Sequence, residues 1–318
     1  MNGPSHYVFC PVLWGSRNAS SLRSQGSLAQ ARLRGWLGVA CLLAAGALAL
    51  PVAAQTTYTM TSLNSSVGIN VNAGGSTPAG MASWLVDGVN QVQQQWFYYR
   101  IGDSSANQSI DTIGSASVLQ TANTLSVSYT NSPSTYYFTV KYTLTGGSLG
   151  SGQSSLGETV RFFNTSPNSL ALSLFDYSAF DLGGVSGGQS VAFSSTTLGP
   201  PFNPQYENTF TQTVGSLSLT DSAISANNTS LVEANYNNST LQTITDGGPS
   251  SLDGVTSAGP GAVTGAMEWD VNVPSGSSLL VSKTISMAVP EPSSVAMMGL
   301  GCLAWLATRR FFNSGCKN

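Results

Sequence analysis

Two pairs of acidic residues lie close together among aromatic rings: Asp176 and Asp181, in the run Phe175-Asp176-Tyr177-Ser178-Ala179-Phe180-Asp181, and Glu268 with Asp270, on either side of Trp269. Paired carboxylates are the parts from which a glycosidase builds its acid and its base. They are also the oxygen donors that hard cations select. Asp176 and Asp181, helped by loop carbonyls, form a candidate Ca2+ site. Their spacing is not that of an EF-hand, and an Asx turn or a solvated loop is the alternative. On a strand, Glu268 and Asp270 share one face, where they could hold a cation or contact a sugar; the alternative is the solvated edge of a sandwich whose inner face carries Trp269 and Val271. Trp84 and the run Trp96-Phe97-Tyr98-Tyr99-Arg100 read either as a sugar-stacking platform or as core, since alternate members of such a run must face inward in a sheet.

The chemistry that is missing narrows the choice. All four cysteines (Cys10, Cys41, Cys302 and Cys316) and the only histidine, His6, lie outside residues 55–288. That region therefore has no disulfide, no Cys/His zinc site and no Ser-His-Asp or Cys-His pair. It holds four cations, Arg100, Lys141, Arg161 and Lys283, against thirteen Asp and Glu, a net charge of −9. Nucleic acid is excluded as a partner, because phosphate binding needs a clustered basic face.

Strands are the elements that would position these groups. Short runs rich in Val, Ile, Thr, Tyr and Phe alternate with Gly, Asn, Ser and Pro clusters, the pattern of a sandwich or barrel. The expected strands are 57–63, 67–71, 83–86, 91–101, 124–129, 136–145, 158–164, 170–177, 190–193, 215–220, 230–235, 240–244, 262–273 and 278–288. Phe138, Val140, Tyr142 and Leu144 alternate with Thr139, Lys141 and Thr143, which predicts one buried and one wet face. Asp87-Gly88 suits a tight hairpin turn. The segments 131–134 and 165–168 look like four-residue connections between paired strands, and Pro274-Ser275-Gly276 like the turn of a last hairpin. Gln91 to Gln95 is the best helical alternative. The fold class expected is all-β, an antiparallel β-sandwich, either one large sandwich or two smaller ones meeting near Gly183 to Gln205, where Gly and Pro gather.

Both ends of the chain have a different character. Arg32 and Arg34 precede an apolar run from Trp36 to Leu50, followed by Pro51-Val52-Ala53-Ala54. A positive region, an apolar region and small residues at Val52 and Ala54 are the parts of a signal peptide, with cleavage expected after Ala54. Cys41 sits inside the apolar run with Gly38 three residues before it, which argues against a lipoprotein. At the other end, Val289-Pro290-Glu291-Pro292 leads into an uncharged span from Val295 to Thr308 and then Arg309-Arg310. The prolines hold Glu291 extended, and the paired arginines keep the far end of the span in the cytoplasm.

A Pro-Glu-Pro box, an apolar span and an Arg cluster, in that order at the C-terminus, resemble the PEP-CTERM sorting signal of Gram-negative bacteria. The resemblance implies recognition by exosortase, an integral-membrane cysteine transpeptidase-like enzyme, through Pro290, Glu291 and Pro292, with Arg309 and Arg310 as the basic anchor. The tail Phe311 to Asn318 departs from the pattern, since most such tags stop soon after the basic cluster. The expected organisation is a leader and signal helix over 1–54, an exported β-domain over 55–288, and a sorting signal with a transmembrane helix over 289–318.

The expected partners are the secretion translocon, signal peptidase, exosortase and, for the mature domain, exopolysaccharide. The destination is the cell surface or the extracellular space, after a transient membrane anchor. The expected function is a non-catalytic surface or matrix protein without a cofactor, contributing to biofilm cohesion. A carbohydrate- or Ca2+-binding module and a carboxylate-based glycoside hydrolase are the alternatives.

Overall fold

A computed structural model describes residues 55–73, 78–196 and 205–288. The expected signal helix, sorting box, transmembrane helix and basic anchor lie outside these residues. Among the described residues no helix is long and apolar enough to cross a membrane.

The described residues form eighteen strands, in chain order β1 (Thr57–Ser62), β2 (Ser65–Asn70), β3 (Gly80–Val86), β4 (Val89–Asn90), β5 (Val92–Ile101), β6 (Gln108–Ser109), β7 (Ser117–Gln120), β8 (Thr124–Thr130), β9 (Tyr136–Gly146), β10 (Ser154–Asn164), β11 (Leu170–Phe180), β12 (Gln189–Thr196), β13 (Gln205–Val214), β14 (Leu217–Ser225), β15 (Leu231–Tyr236), β16 (Ser257–Gly261), β17 (Val263–Val273) and β18 (Ser278–Ala288). They form two sheets. The first runs β1-β2-β3-β5-β11-β17-β15, with β4 on β3 and β6 on β5; the second runs β16-β12-β13-β14-β18-β10-β9-β8-β7. Neighbouring strands pair antiparallel, so the all-β sandwich expected from the alternation is the fold.

Strand parity builds the core. In β9, Phe138, Val140, Tyr142 and Leu144 are buried while Lys141 and Thr143 are exposed, as a two-residue repeat requires. Rings meet between the sheets, with Tyr99 of β5 centred 5.2 Å from Phe138 of β9. The Trp84 indole N–H of β3 donates to Ser154 Oγ of β10 at 3.1 Å. Each such buried ring contributes about 1.5–3 kcal/mol of transfer free energy. The central strands β5, β11 and β17 are buried on both faces over most of their length.

The expected strand over 240–244 is instead a helix, α1 (Ser239–Ile244). Its buried residues, Thr240 and Ile244, are four apart, the spacing of one helical face rather than of a strand. Residues 91–95 enter β5 and are not helical. Asp87-Gly88 does close a tight turn, with both residues at positive φ between β3 and β4. Residues 131–134 link the paired strands β8 and β9. The other two turns need correction: 165–168 carries the chain from β10 to β11, and Pro274-Ser275-Gly276 from β17 to β18, and each passes from one sheet to the other. The chain does not divide into two sandwiches around 183–205, because strands from the two sides of that stretch pair directly within each sheet, β11 with β17 in the first and β10 with β18 in the second.

Candidate functional site

The four cations of the β-domain fall into two kinds of place. Arg100 and Lys283 are buried, and Lys141 and Arg161 are exposed.

Lys283 sits at core parity on β18, between buried Val281 and Ile285. The same parity brings in Glu158, its directly opposed partner on β10, and Asp221 on the neighbouring β14. Asp176 reaches in from β11 of the other sheet. The ammonium lies 2.5 Å from Asp176 Oδ2, 2.7 Å from Asp221 Oδ2 and 3.3 Å from Glu158 Oε2, with all four side chains at most 1% exposed. Gln95 Nε2 donates to both Asp176 Oδ1, at 2.8 Å, and Glu158 Oε2, at 3.2 Å. The Phe97 ring stands 5.5 Å from the ammonium.

One cation cannot neutralise three carboxylates, and burial disfavours the surplus negative charge. Desolvation pushes Glu158 up to about 8 and Asp221 up to about 7, against the opposing pull of Lys283. Desolvation also works against the Lys283 ammonium, but the three carboxylates outweigh it and hold its pKa above the usual lysine range. Glu158 Oε1 and Asp221 Oδ1 have no hydrogen-bond partner, and each such orphan costs about 1–3 kcal/mol. The cluster is therefore expensive for what it gives to stability.

Arg100 is held from several sides. Its guanidinium donates to Asn107 Oδ1, Ser173 Oγ and the Ser250 carbonyl at 2.9–3.0 Å, and Glu268 Oε1 lies 3.9 Å away. Glu268 is fully buried, its Oε2 accepting from the Leu252 N–H at 2.9 Å, and desolvation raises its pKa to about 7. It is no solvated edge group, because β17 lies between β11 and β15. Asp270 is exposed, accepts from Ser173 Oγ at 2.5 Å and, with Asp103, lines a cleft of about 330 Å3 that Glu268 does not reach.

Of the other expected site residues, Asp181 is half-buried just past the end of β11, with its pKa raised by burial. Five residues of extended chain separate its Cα from that of Asp176, about 16 Å, and Asp176 is engaged by Lys283 and Gln95. Among the described residues no three His, Cys, Asp or Glu side chains are placed to hold a metal ion; where three acids converge, the ammonium of Lys283 stands at their centre. Trp84 and the run from Trp96 to Arg100 are buried and offer no stacking surface.

A different aromatic surface does exist, on the outer face of the second sheet. Tyr137 and Phe163 stack with ring centroids 5.2 Å apart, and the Arg161 guanidinium lies 4.9 Å over the Phe163 ring. Together Tyr137, Thr139, Lys141, Thr159, Arg161, Ser278 and Leu280 line a groove of about 500 Å3. Both exposed cations are in it, and no carboxylate lines it. The sequence marked these residues only by outward strand parity; their assembly came from the pairing of β9, β10 and β18.

The fold and the C-terminus together define an all-β sandwich followed at once by a sorting signal. Residues 288–310 match the PEP-CTERM protein-sorting motif, which starts at the last residue of β18. No curated protein matches the chain.

Solved structures with a similar arrangement include a bacterial glucoamylase complexed with acarbose (11% identity, TM-score 0.49), where the match covers 78% of this chain and 36% of that one. The chain thus spans about a third of the glucoamylase's length. A putative aldose 1-epimerase from Escherichia coli K12 is 7% identical, with TM-score 0.47 and coverage of 74% of this chain and 100% of that one. A galactose mutarotase related enzyme from Lactobacillus acidophilus is 9% identical, with TM-score 0.49 and coverage of 73% and 97%. Likeness at this level carries no functional argument.

Proposed function

We propose that this chain is an exported surface or extracellular-matrix protein, sorted through its C-terminal PEP-CTERM signal by exosortase, whose β-domain acts by structure and adhesion rather than by catalysis. The observation that carries the reading is the motif at residues 288–310, which abuts the end of β18. Processing near Pro290-Glu291-Pro292 would release the β-sandwich whole, since no described strand extends past Ala288. The absence of His and Cys from residues 55–288 supports a non-catalytic role. So does the burial of Glu158, Asp176, Asp221 and Glu268 away from solvent. In this reading Asp176 serves Lys283 and takes no Ca2+.

Fractionation of the native host with and without its exosortase, with mass spectrometry of both termini, tests the route. The expected result is an external protein beginning near Gln55 and lacking the apolar tail, and a tailed form held in the membrane when exosortase is removed. An unchanged distribution without exosortase would contradict it.

One observation favours a second, compatible reading, an anionic polysaccharide as the adhesive partner. The groove of Tyr137, Lys141 and Arg161 joins an aromatic ledge to the only exposed cations among the described residues. Retention on alginate but not on neutral dextran supports it; equal behaviour on both matrices argues against it.

A further inference from the structure

We infer that Lys283 and Asp176 become joined by an intramolecular amide bond, a self-formed cross-link that ties the second sheet to the first, with Glu158 as the catalytic acid. Geometry is the basis. Nζ and Oδ2 are in direct contact, 2.5 Å apart, on side chains at most 1% exposed. The two residues come from opposite sheets and are 107 positions apart in sequence. Gln95 fixes the other Asp176 oxygen at 2.8 Å, which holds the carboxyl carbon towards the amine. Reactants held in this way gain the advantage of an intramolecular reaction.

The chemistry balances without an outside reagent. For the reaction, one ammonium proton must pass within the pair to the Asp176 carboxylate, against the hold of the surrounding carboxylates on the cation, which gives the free amine and the carboxylic acid from which the bond forms. Nζ then attacks Asp176 Cγ and a C–N bond forms. Glu158, whose Oε2 lies 3.3 Å from Nζ, takes a proton from that nitrogen at one oxygen and delivers its own from the other to the departing hydroxyl. The C–O bond breaks, one water leaves and Glu158 ends protonated, as it began. The role needs a carboxyl that keeps its proton near neutral pH, and burial provides that at Glu158.

Asp221 also touches the ammonium, at 2.7 Å, but it lies on β14, which already pairs with β18. A bond to it would tie neighbours in one sheet. Asp176 gains more, because nothing in the backbone ladder links β11 to β18.

Peptide mapping of the full chain from its native host, after denaturation and proteolysis, tests the bond whatever processing the termini undergo. The expected product is a branched peptide joining the Asp176 and Lys283 segments, lighter by one water than the two separate peptides. Lys283→Arg keeps the cation but has no amine to acylate, and should give only linear peptides. Glu158→Gln should fold yet form the branch about 100-fold more slowly or not at all, within the range usual for loss of a positioned acid. Linear peptides alone from the wild-type protein would overturn the proposal, as would a branch ending on Asp221. Formation at the wild-type rate in Glu158→Gln would overturn the role given to Glu158.

Discussion

The two faces of the second sheet use the same strands to opposite ends. On β9, β10 and β18 the inward positions carry Tyr142, Glu158 and Lys283, and the outward ones Lys141, Arg161 and Leu280. Inside, one cation meets three carboxylates in a region closed to water, and proton sharing sets the charge. Outside, two cations meet stacked rings and no lining carboxylate, and solvent sets the charge. The difference shows that residue type alone does not assign a role to a charge here; strand parity does.

The largest effect expected from breaking this contrast is on the inner face. Lys283→Met should be about 3–5 kcal/mol less stable in chemical denaturation than Lys283→Arg, which also lacks the cross-link but keeps the cation, because it leaves three buried carboxyls without one. A loss below 1 kcal/mol would mean the cluster relaxes to neutral acids at little cost.

The inner face should also set the pH dependence. Glu158 and Asp221 hold protons in the fold up to about 8 and about 7, against ordinary values of 4.5 and 3.8. The folded chain therefore binds more protons than the unfolded one across that interval, and stability falls as pH rises through it. The contribution is complete below the unfolded values and is lost by about pH 8. Thermal melts should show the midpoint falling from pH 5 to pH 8, and Glu158→Gln should flatten that slope.

On the outer face the expected change is in binding, with almost none in stability. Joint replacement of Lys141 and Arg161 by Ala should abolish retention on alginate while moving stability by no more than about 0.5 kcal/mol. Wild-type retention should weaken with added salt, as screened charges require. The smallest effect belongs to Asp176 and Asp181: titration with Ca2+ should produce no heat and no thermal shift.

Strand alternation made the sandwich legible, because β8, β9, β10 and β18 keep strict two-residue parity. It failed at β13, whose inward positions beside Phe210 are taken by buried polar residues. Asn208 donates to the Ala223 carbonyl, and Gln212 to Phe180 and Gln189, so no apolar pattern marks the strand. β7 and β16 were missed because they are short and carry little buried apolar surface.

The inner cluster was written in the sequence as charges at core parity: Lys283 between Val281 and Ile285, Glu158 between Leu156 and Val160, and Asp221 between Leu219 and Ala223. Which acid would meet the lysine depended on how the sheets face each other, and alternation within one strand carries no information about that. The acidic pairs chosen by closeness in sequence are parted for the same reason. Asp176 turned inward to a lysine 107 positions away, and Glu268 went under the Leu252 backbone.

The most direct test of the route to the surface is the identity of the last residue on protein collected outside the native host. A C-terminal peptide ending close to Glu291, with nothing from Val295 onward, is the expected result. An external protein whose final peptide runs through Arg309 and Arg310 to Asn318 would contradict it.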